Sequence, residues 1–192
     1  MGTRFEHEIR ARDRKCVVSG RSNPELQIQH EIWIGFDATY IVPLEHEGLW
    51  IQSDNDQLIT NMDNVTGSSK ISSAQNGFLL DSSAHEMFNQ YLLAVNPDDG
   101  YKVIVFCGDP FGYDGKILDP VCRNPADPSS VSDQLLRWHF RQLILANMRG
   151  DGHPLSEHDF APGTDMMDEI LDGPNGKERF EFMTAARLTG LV

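Results

Sequence analysis

The sequence predicts an α+β fold: a strand–loop–strand–helix core with additional strands, followed by C-terminal helices. Three stretches support this. Asp37-Ala38-Thr39-Tyr40-Ile41-Val42 is a short strand-like run stopped by Pro43. Asn76-Gly77-Phe78-Leu79-Leu80 is a second one, and the segment Ser83-Ala84-His85-Glu86-Met87-Phe88-Asn89 follows it closely. Ser83 and Glu86 have capping-box spacing, so a helix is expected over about 84–93. Residues 132–150 (SDQLLRWHFRQLILANMRG) place apolar residues at helical spacing between a Ser/Asp N-cap and Gly150 at the C′ position. A strand ending on a polar residue, a loop, and a helix that begins with a histidine make the layout of a compact metal site.

The remaining elements follow in order. Residues 3–15 alternate charges at helical spacing and are expected to form a surface helix or arm. Ser19-Gly20-Arg21-Ser22-Asn23-Pro24 is a turn cluster after the apolar Cys16-Val17-Val18. Residues 26–36 alternate apolar and polar and argue for a strand, with His30 packed on its face rather than serving as a ligand. Residues 51–75, rich in Asn, Asp, Ser and Gly, read as a long loop. Asn96-Pro97-Asp98-Asp99-Gly100 is a turn before a β-branched strand over 101–107. Trp138 and His139 are expected to pack within the long helix, and short helices are expected at 164–171 and 177–188. The division expected is a core with an N-terminal arm over 1–130 and a helical extension over 131–192 packed on it.

A chain of 192 residues can bury one sizeable core. Lys and Arg number 16 against 29 Asp and Glu, a net charge of −13 that opposes approach to a polyanion. No run reaches the length of a membrane span, and the charged N-terminus holds no secretory signal. The 3 cysteines, without CxxC spacing, fit free thiols in a reducing intracellular compartment, cytoplasmic or nuclear.

The series CVVSG, ATYIVPL, NGFLL and AHEMFNQYLLAVNPDDGYK resembles a fungal HNH-nuclease-domain protein. The tail LLRWHFRQLILANMRG with EHDFAPGTDMMDEI is similar to the region that accompanies this domain in filamentous fungi. The resemblance implies an HNH-like ββα-metal core. It implies a strand-end histidine as general base, a middle asparagine that fixes the loop, and a last histidine on a divalent metal, assisted by an aspartate four residues on. Asn76 matches the asparagine and His85 the metal histidine. Tyr40 stands at the first histidine, and Asn89 at the aspartate. A phenol with an ordinary pKa of about 10 is a poor general base at neutral pH. One imidazole is a weak site for Mg²⁺, so His85 is at most a weak metal ligand. Asp37, three residues before Tyr40, belongs to the opposite strand face and is not an obvious substitute.

Three functions are consistent with the residues. In the favoured one the nuclease site is degenerate, and Tyr40, His85 and Asn76 serve acid/base catalysis on a small organic molecule, of the isomerisation or cyclisation type known in secondary metabolism, with no cofactor. The second is an HNH nuclease that cleaves DNA or RNA with Mg²⁺, Mn²⁺ or Zn²⁺ through recruited ligands. The third is a non-catalytic interaction protein whose C-terminal helices form a homodimer or partner surface. Glu45-His46-Glu47 after Pro43 reads as a solvated loop rather than as a group overhanging the cleft, and Asp81 and Glu86 lie near His85 in sequence.

Overall fold

The structure, a computed structural model, describes residues 2–52, 55–61, 69–106 and 108–147. The described residues through Leu143 form one compact unit, and a second begins at Ile144. Cys107, Gly150 and the helices expected beyond it lie outside the described residues.

Helix α1 (Arg4–Asp13) is capped by Thr3, whose hydroxyl accepts from the Glu6 amide. Its charges do not make it a surface helix throughout. Phe5, Ile9 and Asp13, spaced by four, form a buried stripe. The two flanks of this stripe carry the Arg4–Glu8 and Arg10–Glu6 pairs. Burying an apolar side chain of this kind contributes about 1.5–3 kcal/mol. The strand expected over 26–36 is instead a short helix, α2 (Glu25–Gln29), that starts after Pro24. The alternation was misleading because no sheet covers it: no residue of α2 is buried, and Leu26 is 68% exposed. His30 caps this helix and is exposed, so it does not pack on a strand face.

Strand β1 (Phe36–Tyr40) pairs antiparallel with β2 (Gly77–Asp81) in the register Tyr40↔Gly77 through Phe36↔Asp81. The long connection between them is not all loop. It holds helix α3 (Glu47–Gln52) and short 3₁₀ turns at Leu44–His46, Asn55–Leu58 and Ala74–Asn76. Trp50 of α3 is buried, and its indole N–H donates to the Ser69 carbonyl at 2.5 Å.

Strand β2 runs straight into helix α4 (Ser82–Asn89). The N-cap is Asp81, which accepts from the Ala84 amide at 3.0 Å, and not Ser83 with Glu86. The helix also ends earlier than expected. Tyr91 takes a left-handed φ of 54°, and the chain turns into β3 (Leu93–Asn96), which pairs antiparallel with β4 (Lys102–Val105). Asn96 and Gly100, at φ 61°, make the predicted turn between them. Helix α5 (Asp133–Asn147) forms where expected, and His139 is sealed beneath it. The His139 ring stacks on Phe88 at 3.6 Å, and Nε2–H donates to the Phe88 carbonyl at 3.2 Å.

The β1–β2 hairpin is therefore covered by a helix on each face. Tyr40 and Gly77 face α1, where the Tyr40 ring stacks on Phe5 with centroids 3.8 Å apart. Gly77 is required here by contact rather than by φ: a Cβ would run into the Phe5 ring and come within 2.6 Å of the Thr39 carbonyl. Phe78 faces α4 and meets Phe88 edge-on at 5.1 Å. Alternation along β1 then puts Asp37 and Thr39 on the α4 side. Cys16 and Cys122 are free and buried.

Candidate active-site cleft

An open cleft of about 390 Å³ lies where β1 ends, between the turn at Leu44–His46 and the outer face of α4. Tyr40, Glu45, His46, His85 and Asn89 supply its polar wall, and Ala38, Pro43 and Leu44 part of its apolar one. None of the described lining residues is a lysine or an arginine.

Asn76 sits beneath this cleft and is fully buried. Its side-chain oxygen accepts from the Val42 amide at 2.9 Å. Its amide nitrogen donates to the carbonyls of Val42 at 3.0 Å and Ile71 at 2.9 Å. Two of these bonds tie the segment that follows Tyr40 to the residue just before β2, and the third ties that residue to Ile71. Both amide hydrogens and one oxygen lone pair are used and the group is sealed from solvent, so its part is to hold the frame.

His85 stands in the first turns of α4 and is partly exposed to the cleft. Its Nε2 lies 2.7 Å from Asn89 Nδ2, one helical turn on. Its Nδ1 lies 3.5 Å from Asp37 Oδ2, and the same carboxylate oxygen accepts from Ser82 Oγ at 2.9 Å. Asp37 does lie on the strand face opposite Tyr40, but that face carries α4. It is the carboxylate beside His85. Its spacing from Tyr40 hides this, because its partner stands on α4 rather than on β1. The signal that could have found it is the pairing of Asp37 with Leu80, next to the start of the helix.

Tyr40 and His85 line the same cleft from different elements, without a hydrogen bond between them. The Tyr40 hydroxyl donates to Ser72 Oγ at 3.4 Å, a long bond. Burial, more than the opposing Ser72 bond, pushes the phenol above its usual range, and the Glu6 charge adds to the shift. The group is a donor at neutral pH, not a base.

Of the acidic triplet, Glu45 and His46 face the cleft, with His46 edge-on to Trp138 at 6.4 Å. Glu47 turns away and accepts from the Ser69 hydroxyl. Neither acid near His85 in sequence reaches it. Glu86 binds Gln90 at 2.5 Å. Asp81 works inward, accepting from Ser19 at 2.6 Å and Tyr113 at 2.9 Å as well as from Ala84. Burial opposes its charge, yet these donors hold its pKa below the usual carboxylate range.

A divalent ion, which the resemblance implies, would have His85 and Asp37 as its side-chain donors, with Asn89 as a neutral third. Among the described residues no three His, Cys, Asp or Glu side chains gather to hold an ion. One imidazole and one carboxylate are fewer than the three protein ligands a catalytic Zn²⁺ takes, and Mg²⁺ would have to draw most of its shell from water and phosphate. This donor set is a sparse one for either ion.

Among the described residues no helix is long and apolar enough to cross a membrane. Comparison with curated proteins and with solved structures gave no match. Residues 16–96, from the turn before α2 through β3, match the family model described as HNH endonuclease, and the mixed α+β layout of hairpin and helix in this segment is consistent with an HNH domain.

Proposed function

We propose that this HNH-like domain performs metal-independent acid/base catalysis on a small organic molecule held in the cleft beside His85. The observation that carries this reading is the placement of the His85 imidazole in an open cleft, flanked by Asp37 at 3.5 Å and Asn89 at 2.7 Å, with no lysine or arginine among the described lining residues. His85 takes a proton from the substrate and returns it at another atom, which is isomerisation, or a ring closure that begins with the same proton loss. The Tyr40 phenol, kept protonated by burial, donates a hydrogen bond to an oxygen on which charge develops. Asn76 holds the strand end so that both groups border one space.

A phosphodiester backbone would meet Glu45 with no compensating lysine or arginine among the described lining residues, and the chain as a whole carries −13. A neutral or amine-bearing substrate is favoured over a nucleic acid. The unpaired, buried thiols of Cys16 and Cys122 support an intracellular setting.

The test is incubation of the purified chain, with chelator present, in a small-molecule extract of the producing organism, followed by mass spectrometry. A component consumed by the wild type and left intact by His85→Ala is the expected result. Tyr40→Phe should slow the same conversion. Consumption that requires an added divalent ion, or none at all, would overturn the proposal.

A further inference from the structure

The geometry points to Asp37 as a positioning residue that holds His85 in the Nδ1–H tautomer, leaving the Nε2 lone pair directed at the cleft side of α4. The inference rests on the proposed role of His85 for its catalytic meaning, but its physical content stands without it. Two neighbours lead to the same tautomer. The Asn89 amide nitrogen, 2.7 Å from Nε2, can only donate, so Nε2 must accept there. Nδ1 then carries the proton, and it faces Asp37 Oδ2 at 3.5 Å, where a carboxylate favours N–H over a lone pair. The carboxylate is itself held: Ser82 Oγ donates to it at 2.9 Å, and its strand position is fixed by the Asp37↔Leu80 pairing.

The arrangement gives each residue a separate task. Asp37 sets which nitrogen is basic and which way the ring turns. Asn89 occupies the basic nitrogen in the absence of a ligand and must be displaced before His85 can take a proton. A substrate that reaches His85 therefore replaces an amide donor with its own acidic hydrogen, which selects for a molecule offering a C–H, O–H or N–H at that point. The carboxylate at Nδ1 orients the base without touching substrate, in the manner of the buried acid that steadies a catalytic imidazole elsewhere.

The test is long-range ¹H–¹⁵N correlation of the histidine side chains in the full chain at about pH 8, where an ordinary imidazole is neutral. The His85 signals are identified by their loss in His85→Gln. The wild type should show a protonated Nδ1 and an unprotonated Nε2. Asp37→Ala should shift His85 to the Nε2–H form, and Asp37→Glu should restore much of the wild-type pattern. An Nε2–H tautomer in the wild type, or a pattern unchanged in Asp37→Ala, would overturn the inference. If the tautomer behaves as expected and the extract assay shows no turnover, the catalytic role of His85 fails while the positioning by Asp37 stands. If turnover is seen and the tautomer is wrong, the reverse holds.

Discussion

The two faces of the β1–β2 hairpin are built to different standards. On the α1 face the polar groups of Arg12 and Asp13 are closed off. Arg12 donates to the carbonyls of Ala74 at 3.0 Å, Ser129 at 2.6 Å and Gly77 at 2.8 Å, and pairs with Asp13 at 2.6 Å. Asp13 accepts in turn from the Leu79 amide at 2.7 Å. On the α4 face, Asp37 and His85 are partly exposed and Asn89 is exposed; they are joined in a short surface chain from Ser82 to Asn89, and His85 and Asn89 border an open space. The first face has spent its polar groups on the frame, and the second has kept them for something else. A buried polar group without its partner costs about 1–3 kcal/mol, whereas a surface pair contributes about 0–1 kcal/mol. The difference separates residues that hold the domain from residues that act in it.

Substitutions can break or sharpen this contrast. The largest effect is expected from Arg12→Ala. The side chains of Arg12 and Asp13 are 6% and 0% exposed, and removing the guanidinium leaves a buried carboxylate unpaired. Burial already pushes the Asp13 pKa up against the pull of Arg12. Urea unfolding should show a loss of about 3–5 kcal/mol. Asn76→Ala leaves the Val42 amide and two carbonyls unsatisfied and should cost about 3 kcal/mol.

Next in size is an effect of pH. His139 is buried, its Nδ1 has no hydrogen-bond partner among the described residues, and burial lowers its pKa to about 3. Its folded value lies below its unfolded value of about 6.5. The contribution to stability is therefore complete above about pH 6.5 and is lost on acidification, at about 1.4 kcal/mol per pH unit, until the folded-state value is reached. His139→Phe keeps a ring against Phe88 and cannot be protonated, so its stability should fall less steeply between about pH 6.5 and 4.5. The smallest effect belongs to the cleft. Tyr40→Phe keeps the stack on Phe5 and loses only the long bond to Ser72, so its unfolding free energy should change by less than about 0.5 kcal/mol.

This contrast also explains what could be learned from the sequence. The hairpin, its helix and the long α5 were visible because apolar spacing and turn residues mark them locally. Asn76 and His85 were found through resemblance, and the structure shows the first as a buried clamp and places the second at an open cleft. The Arg12–Asp13 pair was missed because alternating charges read as solvated, and nothing local tells which pair is buried. β3 was missed because no glycine marks the break after Asn89, where Tyr91 takes the left-handed turn instead. Asp37 was passed over because its partner is 48 residues away in sequence and is brought to it only by strand register.

The proposal that this cleft works without a metal can be tested most directly on nucleic acid. Supercoiled plasmid and single-stranded RNA would be incubated with the full chain at low salt, with Mg²⁺, Mn²⁺ or Zn²⁺ added in turn. No cleavage above that of His85→Ala is the expected result with any of the three ions. Metal-dependent nicking that disappears in His85→Ala would contradict the proposal and return the site to nuclease chemistry.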